Sequence, residues 1–354
     1  NYHEYAYGPA IDKAGNLWVA LNCSIGKGSN PNNQWRGWSL RVKSDGSWSP
    51  MSGGFRSPSG IGTNLAGDVF ATDQQGNWYA TCPLMHVKRG AFHGHADALQ
   101  FTKLPGATFQ VKQPLPKNLT VAKAAKHIPA YQLPAVWFPY RKMGMSTTDI
   151  LADSTKGKFG PFAGQLFCGE FTMSFVSRLF LEKVDGEYQG ACFRFREGLD
   201  CAALRLQWGA DGSMYIGQSN RGWNSLGTKS YGLQRLQWTG KVPFEIKEMS
   251  AQRDGFRLMF TQSVDASTVI NPKSYTVTSY TYPYQSKYGG EPMDVKTHTV
   301  KVAGLDTTWR SVQLTLDEMR PGYVYELHAL GIRNTQGQPL LHSGAYYTLN
   351  RIPK

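Results

Sequence analysis

Ile11-Asp12-Lys13-Ala14-Gly15-Asn16-Leu17-Trp18-Val19 is the stretch that decides the fold. An apolar residue leads into a short polar or small segment, a glycine follows, and alternating apolar residues resume. The arrangement returns as Thr63-Asn64-Leu65-Ala66-Gly67-Asp68-Val69-Phe70-Ala71 and as Trp208-Gly209-Ala210-Asp211-Gly212-Ser213-Met214-Tyr215-Ile216. A weaker copy is Gly160-Pro161-Phe162-Ala163-Gly164-Gln165-Leu166-Phe167. Its physical content is a tight hairpin turn whose glycine takes positive φ and opens a strand with one buried face. The glycines stand at 15, 67, 164 and 212, so their separations are 52, 97 and 48, and the middle one is close to two units of the last. Strand hairpins repeating every ~40–50 residues are the pattern of propeller blades. Phe101 to Pro134 interrupts the rhythm with proline-rich segments and one helical run, Leu119 to His127, and reads as a loop insertion on one rim.

From about Val242 the texture changes. Phe256 to Phe260, Ser274 to Thr278, Ser311 to Leu316 and Val324 to Leu327 alternate as strands, with turns at Pro321-Gly322 and Asn334-Thr335-Gln336-Gly337. This spacing predicts a β-sandwich after a boundary near Gly240-Lys241-Val242. Composition agrees: 13% aromatic, 38 Gly and 19 Pro in 354 residues suit short strands and turns, not a helical bundle. No stretch approaches the ~18–20 apolar residues of a membrane-spanning helix.

The formal charge is +13, yet the basic residues are scattered, with no run of five and only pairs such as Lys88-Arg89 and Arg141-Lys142. A diffuse basic surface tolerates acidic partners, and no nucleic-acid-binding module is present. The five cysteines (23, 82, 168, 192 and 201) have no zinc-ribbon spacing. Cys192 and Cys201 bracket a short loop and suit a disulfide in an exported protein, while Cys23 and Cys168 read equally well as small buried hydrophobes. The chain opens on Asn1 with no signal peptide, and is read as a mature form, a fragment or the ordered part of a longer polypeptide.

His93-x-His95, on a segment read as extended, points two imidazoles to one face, a geometry that holds a metal, with His86 and His3 as further donors. Two solvated loop histidines are the competing account. Trp35, Trp38, Trp78, Trp137 and Trp223 sit in loop-like stretches where rings stack on sugars, whereas Trp18 and Trp208 flank the repeated turns and read as inter-blade core. No serine-hydrolase elbow, phosphate loop, dinucleotide fingerprint or HExxH occurs.

Gly54-Phe55-Arg56-Ser57-Pro58-Ser59-Gly60, then Gly67-Asp68-Val69-Phe70, Asp73-Gln74-Gln75-Gly76, His86-Val87-Lys88-Arg89-Gly90 and Phe92-His93-Gly94-His95 carry a resemblance when taken in that order. The chain resembles the sorbosone/glucose dehydrogenase-like propellers, the soluble quinoprotein sugar dehydrogenases. It looks closest to the membrane-bound dehydrogenase-like proteins of planctomycete-type bacteria. Pro134-Ala135-Val136-Trp137-Phe138-Pro139-Tyr140 and Gly217-Gln218-Ser219-Asn220-Arg221-Gly222-Trp223 extend the match to about residue 240, and the C-terminal part resembles bacterial Ig-like domains. The resemblance implies an all-β chain. A sugar dehydrogenase-like β-propeller over residues 1–241, with an insertion near 101–134, precedes an Ig-like β-sandwich over residues 242–354. About 240 residues make four or five blades where the relatives have six. The remaining strands either precede Asn1 or come from an additional chain or region that completes the ring.

By the same resemblance PQQ and calcium are the implied cofactors. Arg56, Gln75, Gly76 and Arg205 stand as cofactor contacts, and Asp73 with the Gly76 carbonyl stands near calcium. His93 and His95 remain the alternative metal ligands, and Arg56, Trp78, Arg141, Arg221 and Trp223 the substrate contacts. The internal pairing of Arg56 with Asp73 within a blade is weighed equally. The chain departs from the family where it grips the quinone: Ala202 and Leu204 stand where an arginine pair is expected, and Met173-Ser174 where a lysine is. The early-blade histidine base has no counterpart. The leading expectation is an exported, periplasmic or extracellular protein that oxidises a sugar or aldose at the propeller mouth and passes electrons to a c-type haem domain or protein. The alternatives are a noncatalytic glycan-binding or scaffold module of a larger haem-containing assembly, and a metal-dependent polysaccharide lyase or hydrolase using the histidines, with Arg56 or Arg141 neutralising a uronate.

Overall fold

The structure, a computed structural model, describes residues 5–25, 33–112 and 114–354. Its architecture grows from the four repeated turns. Gly15 (φ 79°), Gly67 (88°), Gly164 (88°) and Gly212 (81°) all take the left-handed conformation the pattern required. The polar residue ahead of the glycine closes the turn: Asp12 Oδ1 accepts from the Ala14 and Asn16 N–H groups, each at 2.9 Å.

Each turn joins the first two strands of an antiparallel blade. The first blade is β1 (Ala6–Ile11), β2 (Leu17–Leu21), β3 (Trp38–Val42) and β4 (Trp48–Gly53), in that order. The second is β5 (Gly60–Thr63), β6 (Val69–Thr72) and β7 (Cys82–His86), completed after an insertion. That insertion holds β8 (Leu119–Thr120) and helix α1 (Val121–His127), whose N-terminus is capped by the Thr120 hydroxyl accepting from Lys123 N–H, and it leads into β9 (Val136–Phe138). The third blade is β10 (Thr147–Ala152), β11 (Leu166–Glu170), β12 (Phe175–Val184) and β13 (Glu187–Arg196). The fourth has three strands, β14 (Ala203–Trp208), β15 (Met214–Ser219) and β16 (Tyr231–Leu236).

Successive blades lie with their first strands adjacent. Trp18 and Met51 pack on Ile61, Val69 and Met85 between blades one and two, and Phe159 and Phe167 pack on Leu206, Met214 and Ile216 between three and four. The arc ends on two apolar faces. Ile11 (62% exposed), Leu17 and Trp48 (54%) form one cross-strand row on blade one, and Leu233 and Tyr231 stand out from blade four.

The remaining chain forms a two-layer sandwich. Its strands are β17 (Ile246–Gln252), β18 (Gly255–Phe260), β19 (Thr276–Thr281), β20 (Pro283–Tyr284), β21 (Met293–Thr297), β22 (Val300–Leu305), β23 (Ser311–Leu316), β24 (Tyr323–His328) and β25 (Gly344–Leu349). One layer runs β17-β18-β23-β22 and the other β25-β24-β19-β21, with Phe256, Leu258, Val277, Leu314, Tyr325 and Tyr347 between them. The second layer is continuous with blade three, because β25 pairs antiparallel with β13 (Gly190 opposite Thr348, Cys192 opposite Tyr346). The hydrophobic pattern gave no sign of this seam. It also explains why the expected Cys192–Cys201 disulfide does not form: Cys192 is fixed in the middle of β13, with its thiol beside the Trp137 and Tyr346 carbonyls, and all five cysteines are free and buried.

Candidate functional site

The site starts at the buried carboxylate of Asp73, where β6 ends. Its Oδ2 accepts from Arg56 N–H at 2.8 Å, and its Oδ1 accepts from Ser57 and Gln74 N–H, each at 2.7 Å. The Arg56 and Ser57 N–H groups thus clamp the Arg56-Ser57-Pro58 turn onto Asp73-Gln74-Gln75-Gly76, while the Gln74 N–H holds the carboxylate from its own segment. Burial pushes Asp73 up to about 6 against the pull of these donors.

The Arg56 side chain lies flat across Gly76, where a Cβ would sit 2.0 Å from Nε, and its other side faces the Tyr288 ring, 5.2 Å away. Only glycine leaves room for this crossing. Arg56 is 8% exposed, and its guanidinium makes no hydrogen bond or ion pair with any described residue, its Nε being buried without a partner. Tyr288 reaches the site on a sandwich loop docked to the blade. Trp78 N–H donates to Gln285 O (2.9 Å), Asn77 Nδ2 to Ser286 O (2.8 Å) and Gly289 N–H to Gly76 O (3.0 Å).

A cleft of 440 Å³ opens over Arg56, lined also by Ser57, Gln74, Gln75, Tyr140, Ser146, Thr172, Trp223 and Tyr288. Trp223 leans in from the β15–β16 loop, its ring 4.5 Å from Phe171 and its Nε1 donating to Thr172 Oγ1 at 3.1 Å. Ser146 Oγ is buried without a partner. Behind the wall, Glu170 accepts from Met145, Ser146 and Met173 N–H, and burial lifts its carboxyl to about 7. Both nearby acids therefore accept hydrogen bonds from the backbone, and among the described residues Arg56 is the charged side chain lining the cleft. Aromatic faces, amides, hydroxyls and one unpaired guanidinium form a lining suited to a polar ring bearing a negative group.

The structure brings Arg56, Gln75 and Trp223 to the cleft, keeps Asp73 and Gly76 against Arg56, and sends the other expected residues elsewhere. Gln75 lines the cleft while its Nε2 donates to Ala80 O at 2.9 Å. The calcium positions do not fit the ion. Asp73 already accepts three N–H donors, which leaves at most one lone pair on Oδ2, and the Gly76 carbonyl accepts from both Tyr79 and Gly289 N–H, so these groups offer a cation one oxygen site at most, far short of the about six to eight that calcium takes. Arg205, on β14, donates to Ser59 O and to its own neighbour's carbonyl, with its guanidinium over Tyr7, outside the cleft. Trp78 is half-buried against Tyr284 beneath the docked loop. Arg141 sits over Tyr140 and lines a separate cavity of 330 Å³ with Tyr280, Tyr282 and Glu291. Arg221 is exposed on the loop that carries Trp223. Trp35, Trp38 and Trp137 are core.

The histidine pair does not act as a pair. Gly94 between them takes φ 116° and bends the segment, so strand alternation fails there. His93 Nε2 meets Ser52 Oγ at 3.1 Å and its ring packs on Phe55, whereas His95 gathers with Cys23 and Asp97. Burial holds both imidazoles down to about 3 and so neutral. His86 faces Asp68, and His3 lies outside the described residues. Sequence reasoning missed Gln74, Tyr140, Ser146, Thr172 and Tyr288. Gln74 and Tyr140 stood inside quoted motifs without being singled out, but nothing local marks Tyr288, which comes from some 200 residues downstream.

No family model matches the chain, and no curated protein is similar to it. Among solved structures it is similar to a glucose dehydrogenase, at 17% identity over 65% of this chain and 62% of that one, with a TM-score of 0.41. It is similar to the PQQ-bound aldose sugar dehydrogenase of Streptomyces coelicolor, at 14% identity over 64% and 60% of the two chains, with a TM-score of 0.42. A third is the extracellular domain of a hybrid two-component system from B. thetaiotaomicron, at 12% identity over 97% and 50%, with a TM-score of 0.29. The chain spans about three-fifths of the length of the two dehydrogenases it resembles.

Proposed function

We propose that this protein binds an acidic saccharide in the 440 Å³ cleft, as a glycan-recognition module meeting polysaccharide in the periplasm or outside the cell. The observation that carries the reading is the unpaired, largely buried Arg56 guanidinium among Trp223, Tyr140 and Tyr288. Burying a cation without a partner is costly, and a ligand carboxylate removes that cost while the rings stack on the sugar's C–H faces. The amides of Gln74 and Gln75 and the hydroxyls of Ser57, Ser146 and Thr172 supply hydrogen bonds for hydroxyl groups. The same proposal includes an additional chain or region covering the apolar end faces of the arc.

Calorimetric titration with uronate-containing and neutral oligosaccharides tests it. The acidic series binds, and Arg56→Gln weakens it by about tenfold or more, the scale of a lost charge-assisted hydrogen bond of ~1.5–3 kcal/mol. Equal binding of neutral and acidic sugars, unchanged by Arg56→Gln, would overturn the role of Arg56, and no binding of either would overturn the function.

Sugar oxidation with PQQ, passing electrons to a c-type haem partner, is the second reading. Arg56 favours it too, since one guanidinium suits one carboxylate of the quinone. When bound, PQQ would supply the electron acceptor, and Arg56 would orient it. An absorption band on reconstitution with PQQ would support this reading, and a featureless titration would sink it.

A further inference from the structure

Behind the cleft wall, Cys23, His95 and Asp97 converge from two distant segments, with a ligand atom from each lying within 4.8 Å of the other two. We propose that these three side chains form a site for a late divalent transition cation, zinc by its donor set, with a fourth position open to water. The placement is built into the fold. Cys23 follows β2 and its N–H donates to Arg56 O at 2.8 Å, while His95 N–H donates to Gly54 O at 2.9 Å. Both ligands are thereby pinned to the same turn, at carbonyls two residues apart. Asp97 lies in the short helical turn that His95 caps, and its own N–H donates to His95 Nδ1 at 3.4 Å.

The donor chemistry selects the metal. A thiolate and an imidazole are poor ligands for calcium or magnesium, which take mainly oxygen, whereas sulfur, nitrogen and one carboxylate oxygen suit zinc in tetrahedral geometry. Three protein ligands leave one position free, and Cys23 and His95 are buried while Asp97 reaches the surface. Charge is balanced as well: thiolate and carboxylate neutralise a divalent ion, whereas in the metal-free chain burial and the Asp97 and Asp73 carboxylates push the Cys23 thiol up against the weaker pull of Arg56 and Arg36. Binding therefore transfers the Cys23 proton to solvent and forms a metal–sulfur bond with no change of oxidation state, so affinity rises with pH. The site is independent of the saccharide reading.

Cobalt(II) titration of the full chain tests the proposal, because a cobalt–thiolate bond absorbs in the near ultraviolet and tetrahedral cobalt absorbs strongly in the visible. One cobalt per chain with both signatures is expected, displaced by zinc and not by calcium. Cys23→Ser removes the thiolate band, and His93→Gln leaves it. Asp97→Asn, on a surface-accessible side chain, keeps the fold and weakens binding by more than about tenfold, since even second-shell losses cost ~10–100-fold. Absence of the thiolate band in the native chain, its survival in Cys23→Ser, or unchanged affinity in Asp97→Asn would overturn the site.

Discussion

Arg56 and His86 show how one buried group carries a consequence that its residue type alone does not. An arginine in a Gly-Phe-Arg-Ser-Pro turn reads equally as half of an internal ion pair. The carboxylate that would pair with it, Asp73, is instead consumed by backbone N–H donors, and the guanidinium is left to the cleft. His86 lies on β7 between Phe70 and Tyr188, and burial holds its imidazole down at about 4 although Asp68 stands 3.9 Å away. The unfolded chain takes up this proton near pH ~6.5, so the unfolded state binds more protons below that value. The stability His86 contributes is therefore present above ~6.5 and lost as pH falls toward about 4. Urea unfolding at pH 7.5 and at pH 5 measures it: the native chain loses about 2 kcal/mol more than His86→Gln over that interval.

At the scale of elements, the four turn glycines and the insertion were legible because each is a local device. A positive-φ glycine between apolar runs has few alternatives, and all four lie where the repeat placed them. The helical run expected over Leu119 to His127 is α1, starting at its Thr120 cap. The loop from Gln285 to Gly290 is different, since its docking depends on backbone groups of the Gly76–Ala80 segment. It brings Tyr288, 66% exposed, against Arg56. Tyr288→Ala therefore lowers saccharide affinity about fivefold, on the scale of a ~1 kcal/mol cation–π contact, and leaves the thermal midpoint within about 1 °C. A fall in the midpoint with unchanged affinity would make Tyr288 a docking residue only.

Across the whole molecule, the blade arc and the sandwich share one sheet and one buried cation. Arg178, on β12, is fully buried between the Phe162 and Phe193 rings, at 4.1 and 4.2 Å. It donates to Gln165 Oε1 (2.6 Å), Lys247 O (2.7 Å) and Ile246 O (2.6 Å), tying blade three to the first sandwich strand. Arg178→Ala leaves a cavity and three orphaned acceptors, so it costs about 3 kcal/mol or more. Because β13–β25 pairing makes the sheet continuous, scanning calorimetry should give a single transition that Arg178→Ala moves as a unit. Two separate transitions, with only one displaced, would mean that the seam does not couple the halves.

The sequence by itself determined the all-β class, the four hairpin turns, the insertion and the strand-rich C-terminal part, because turn chemistry and alternation act over a few residues. It also marked Arg56, Gln75 and Trp223. Which lone pairs remain free, which histidine meets which cysteine, and how a sandwich loop reaches the mouth depend on partners up to about 200 residues away. Asp73 and Gly76 carry ligand atoms by residue type, and only the tertiary hydrogen bonds show that most of their lone pairs are already engaged.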